Sequence, residues 1–142
     1  MKLKLAPVPA RSEDVPEYLN RELRRMNEQH GTYDLNPVSP AALGLGNNND
    51  VRLGNNTRYA RMTTNAGGST ITGIVAVDDR LPLYLVNLGP AVLTLAHQSA
   101  SSAAANRFAL ASGTNSAIAV DGCAILFYDS VTARWRQLSR MA

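Results

Sequence analysis

Three runs in the second half of the chain lack the alternation expected of a strand with one wet face: ITGIVAV at 71–77, LYLV at 83–86 and CAILF at 123–127. Successive side chains of a strand point to opposite faces, so a half-solvated strand alternates apolar and polar residues. The chain has 142 residues, enough for one domain. One sandwich core covers only one face of each sheet. The second faces then need another cover, and the simplest is a symmetric oligomer in which they pack together. Charge points the same way. Residues 1–31 carry eleven formal charges, whereas the 65 residues from Thr64 to Tyr128 carry five: Asp78, Asp79, Arg80, Arg107 and Asp121.

Composition narrows the class further. An apolar share of 45% is that of a globular chain. A net charge of +3 permits acidic partners without indicating nucleic-acid binding. A single cysteine, Cys123, rules out an intrachain disulfide framework. No run approaches the ~18 apolar residues of a membrane span. The opening MKLKLAPVPA lacks the apolar core of an export signal, and none is expected.

The N-terminal residues read as an anchor. In MKLKLAPVPA, Leu3 and Leu5 alternate with Lys2 and Lys4 ahead of two prolines, the pattern of an extended arm. SEDVPEYLNRELRRMNEQHG then predicts a short α-helix. Ser12 or Asp14 can cap it, Pro16 suits its first turn, and Gly31 stops it. Val15, Leu19, Leu23 and Met26 form one apolar stripe at helical spacing. That stripe either packs on its own domain or docks on another subunit. The domain reading is thus an arm and helix over 1–31, a Pro/Gly/Asn linker over 32–49 with nothing for a core, and a β-domain over 50–142.

Within the β-domain, strands are expected near 50–53, 57–64, 69–77, 82–87, 91–97, 106–110, 116–120, 123–128 and 133–138. Short strands at this spacing, separated by turn signals, predict a mainly β fold: an antiparallel sandwich or barrel of about eight to nine strands. NLGP and DSVTA are the expected hairpin connections. Leu83, Tyr84, Leu85 and Val86 are the expected oligomer contacts.

No constellation points to catalysis or to a cofactor. His30 and His97 have no metal-ligating neighbours at suitable spacing. Ser99, Ser101 and Ser102 lie near His97 but in no nucleophile-elbow context. GLGNNND at 44–50 has no strand leading in and no helix following, so it reads as a turn and not as a phosphate loop. Asp50 alone does not make a calcium loop. Cys123, in an apolar run, is expected to be buried and inert. Tyr128 and Trp135 face each other across a hairpin, with Arg134 and Arg136 on the face opposite Trp135. Those two rings either close the core or form a ligand platform for a sugar.

The run TITGIVAVDDRLPLYLVNLGPAVLTLAHQSASSAAANRF, followed by DGCAILFYDSVTARWRQL, resembles a small β-domain of virion structural proteins of tailed bacteriophages. Such domains occur in head fibres, decoration proteins, collar pieces and tail-fibre segments. The likeness covers about residues 69–138 and rests on Leu85 to Gly89, Leu93 to Phe108, Tyr128–Asp129 and Arg134–Trp135. It implies a noncatalytic homo-oligomer, a trimer by preference, that assembles with capsid, collar or tail proteins in the virion and has no membrane or direct nucleic-acid role. A carbohydrate- or receptor-binding module of a tail fibre, using Trp135, Tyr128 and Tyr84, is the alternative.

Overall fold

The computed structural model describes Glu17, Leu19, Arg21 and residues 37–54, 57–76 and 82–141. The chain divides into two units, Met1–Tyr33 and Asp34–Ala142. In the first, Glu17, Leu19 and Arg21 are helical and exposed. The expected arm, and Val15, Leu23 and Met26 of the apolar stripe, lie outside the described residues.

The second unit is mainly β. Its strands are β1 (Gly46–Asn48), β2 (Tyr59–Met62), β3 (Ser69–Ile71), β4 (Leu83–Asn87), β5 (Leu93–Leu95), β6 (Ser116–Ile118), β7 (Cys123–Asp129) and β8 (Arg134–Met141). They form two four-stranded sheets, β1-β3-β5-β6 and β2-β4-β7-β8, in a sandwich-like arrangement. Burial alternates along the strands, as in β4, where Leu83, Leu85 and Asn87 are buried and Tyr84 and Val86 half-buried. Ile71, Leu93, Leu95 and Ile118 from one sheet join Met62, Leu85, Leu126 and Trp135 from the other in one core.

The antiparallel expectation is corrected to mixed sheets. β1 pairs with β3, β3 with β5 and β2 with β4, all parallel; β5–β6, β4–β7 and β7–β8 are antiparallel. From β1 to β5 the chain passes to the other sheet at every step, so each strand returns beside the one two before it, in the same direction. A hairpin needs consecutive strands in one sheet, which holds for β5–β6 and β7–β8. DSVTA is therefore a hairpin connection as expected, but NLGP is not. It carries the chain between sheets, and Asn87 holds it there. The wholly buried Asn87 donates Nδ2 to the carbonyls of Ala91 (2.9 Å) and Ile118 (3.0 Å) and accepts from Gly89 N (2.9 Å).

Part of the stretch expected to be linker belongs to this fold. Gly46–Asn48 is an edge strand, Leu43 is 8% exposed in the core, and Val38 bridges to Ala60. Gly-Asn-Asn has little strand propensity. It is held by Asn48, whose Oδ1 accepts from Gly44 N and whose Nδ2 donates to the carbonyls of Gly44, Gly46 and Thr70.

The loop HQSASSAAANRF closes the sandwich along one side. Phe108, fully buried, bridges to His97 and to Trp135. Trp135 N donates to the Arg107 carbonyl at 2.9 Å and Ala109 N to the Trp135 carbonyl at 2.8 Å, so 107–109 ties β8 to the end of the other sheet. Pairing between β7 and β8 shifts from Ile125↔Ser139 to Leu126↔Gln137, leaving Leu138 as an extra, exposed residue.

Candidate functional site

The alternation that buries one face of β2-β4-β7-β8 turns a second set of side chains outward. Tyr59 stands beside Tyr84, and Tyr84 beside Ile125, in one cross-strand row. In the next row Val86 lies between Arg61 and Cys123. Phe127 is paired with Arg136 on β8. Neighbouring strands are ~4.8 Å apart, so side chains in a row touch and the apolar residues form one continuous surface.

These outward residues are half-buried, except Arg61, which is exposed. Among the described side chains, charge on this face lies at the margins. Arg61 is on edge strand β2, and Arg136 on edge strand β8 forms an ion pair with Asp129 at 3.4 Å. Aromatic and aliphatic residues thus occupy the centre of this face and arginines its rim. Asp129 lies below the usual carboxylate range, chiefly because the Thr132 hydroxyl donates to it at 2.6 Å. Cys123 is half-buried on this face, and burial pushes its thiol up, so the neutral form prevails.

The expected oligomer contacts therefore split by strand parity. Tyr84 and Val86 lie on the outward face. Leu83 and Leu85, 2% and 0% exposed, are corrected to core residues, because they stand on the inward side of the same strand. The outward partners Tyr59, Ile125 and Phe127 were not singled out from the sequence, although period-two counting through CAILFYD marks Ile125 and Phe127 once Leu126 is placed inside.

The ligand platform is corrected too. Trp135 is 1% and Tyr128 8% exposed, and their rings pack edge to face with centroids 5.4 Å apart. Trp135 Nε1 donates to the Ile74 carbonyl. Both rings close the core and offer no face to a sugar. Leu19 of the anchor stripe is 52% exposed.

The serine-rich loop is a polar buttress. Ser102 Oγ lies 2.7 Å from Thr72 Oγ1 and accepts from Asp50 N. Asp50 accepts from Asn106 Nδ2 at 2.7 Å and from Ala103 N, and the Asn106 bond is the main reason its carboxyl is held below the usual range. His97 Nδ1 accepts from Leu110 N. These groups are engaged in holding two turns together. Among the described residues no three His, Cys, Asp or Glu side chains converge, and no helix is long and apolar enough to cross a membrane.

Comparison with protein-family models, with curated proteins and with solved structures finds no match to this chain.

Proposed function

We propose that the chain is a noncatalytic structural protein of a tailed-bacteriophage virion. In this reading it is a head decoration, collar or head-fibre protein that attaches through residues 1–31 and oligomerises, as a trimer, through its β-domain. The observation that carries the assembly half is the outward row of Tyr59, Tyr84 and Ile125 with Val86, Cys123 and Phe127 beside it. An apolar sheet face of this kind is costly in water, and packing against copies of itself removes it from solvent. The placement in a virion rests on the resemblance of 69–138 to phage β-domains. Several weak arms on one oligomer would bind a capsid or collar with high avidity.

Two measurements on the full chain and its truncation test the reading. Light scattering of the purified chain should give three times 15.2 kDa. A chain lacking residues 1–31 should keep its β circular dichroism and assembly but fail to join phage particles. A monomer at micromolar concentration would overturn the assembly half. Incorporation of the truncated chain would overturn the anchor.

A further inference from the structure

The outward face of β2-β4-β7-β8 runs on past the end of β4. Outward positions on that strand recur at every second residue, Tyr84 and then Val86, and Leu88 is the next. Leu88 N donates to the Met62 carbonyl at 2.8 Å, so pairing with β2 reaches this point. Leu88 is 40% exposed. Val120, 43% exposed, lies close by, since a Cβ on Gly89 would come within 3.0 Å of Val120 Cγ1. This end of the face is apolar and more exposed than its half-buried centre.

Two opposite charges flank that end. Arg61 stands on the β2 side, in the row Arg61, Val86, Cys123. Asp121 stands on the β7 side, two residues before Cys123, and its N donates to the Asn87 carbonyl at 2.7 Å. Both residues are exposed. Among the described residues neither side chain has an ion-pair or hydrogen-bond partner, whereas Arg136 is paired with Asp129. Two strand spacings, roughly 10 Å, separate β2 from β7, so the two charges lie on opposite margins of one copy.

We infer that a second copy of this chain covers this end, side by side and with like ends together, so that Arg61 of one copy meets Asp121 of the next. This arrangement presupposes the assembly proposed above. Charge complementarity selects it. Rotation about an axis along β4 brings the β2 margin of each copy to the β7 margin of its neighbour at the same end, positive against negative. Leu88 and Val120, lying between the charges, then leave water. Turning one copy end over end would place the two charges at opposite ends and leave both without a partner. Each copy offers Arg61 to one neighbour and Asp121 to the other, a head-to-tail contact that closes into a ring.

The test measures the association constant of the full chain by sedimentation equilibrium at low and high salt. Arg61→Glu and Asp121→Asn should each weaken association about tenfold, summed over the three contacts of a trimer. Asparagine tolerates the left-handed backbone of residue 121, where φ is 62°, so this variant should fold. The two changes move the net charge from +3 in opposite directions, down by two and up by one, so overall charge explains no loss common to both. The swapped double variant Arg61→Glu with Asp121→Arg should recover the parent association, and high salt should weaken the parent. Circular dichroism checks that each variant keeps its β structure. If the parent assembles and Ile125→Glu dissociates it, yet Arg61→Glu and Asp121→Asn change nothing, the inference falls and the assembly reading stands. A folded double variant that stays as weak as the single ones also overturns the pairing. A monomeric parent removes both.

Discussion

The indole Nε1 of Trp135 donates to the carbonyl of Ile74 at 2.8 Å, joining β8 to the segment that continues β3 in the opposite sheet. Both residues are 1% exposed, and Tyr128 packs its edge on the indole. A bond that crosses the core fixes how the two sheets meet. It also gives a sharp expectation for substitution.

Trp135→Ala should cost ~3–5 kcal/mol, the range for deleting a large buried aromatic. Trp135→Phe keeps most of the volume but leaves the Ile74 carbonyl unpaired, and should cost about 1–3 kcal/mol. Urea unfolding of both variants checks this. A loss under about 1 kcal/mol for the alanine variant would remove Trp135 from the core.

Gly73→Ala should be destabilising although Ala is the smaller of possible insertions. A Cβ there would lie 2.7 Å from the Asn106 carbonyl oxygen and 2.7 Å from the Ser102 side chain. Overpacking of this sort costs roughly 1–3 kcal/mol. Adding Ser102→Gly should restore only part of the loss, because the Asn106 oxygen is backbone. Thermal denaturation of the single and double variants distinguishes the two contacts.

Acid should weaken the fold partly through Asp50. Its folded pKa lies below the ordinary 3.8, so its contribution is fully present above that value and is lost as pH falls through the folded value. Asp129 behaves in the same sense. In Asp50→Asn the urea midpoint should therefore fall less steeply between neutral and strongly acid pH than in the parent, with Asp129 supplying part of the remaining slope. Parallel pH profiles for the two proteins would show that Asp50 is not linked to folding.

Ile125→Glu should separate assembly from folding. The residue points outward between Tyr84 and Ser139, so the charge enters water in a monomer and a desolvated contact in an oligomer. The variant should retain its β circular dichroism and scatter light as a smaller species. Leu126→Glu, one position along and fully buried, should unfold the chain. Cys123 adds a second readout: its alkylation should quicken in Ile125→Glu as the face becomes accessible.

Much of the β-domain is written in local sequence. Eight of the expected strand regions contain a strand or an isolated bridge at or beside the predicted place, and Val51 bridges to Ile74 in the ninth, near 50–53. These are short-range signals: apolar runs bounded by Gly, Asn and Asp. The double-sided apolar character of 83–86 and 123–127 was also legible, because it needs only the period of a strand. What the local pattern does not contain is the direction of each pairing. NLGP looks like a hairpin turn, yet Asn87 bonds across to Ile118 and Ala91 and sends the chain to the other sheet. Likewise Gly-Asn-Asn at 46–48 becomes a strand through its parallel pairing with β3 and the bond from Asn48 Nδ2 to the Thr70 carbonyl, which the fold brings close. Which of Leu83 to Val86 face out, and that Trp135 and Tyr128 face in, follows once the two sheets are stacked. Runs that are apolar on both sides read the same whichever face meets the core, and only long-range packing breaks that tie.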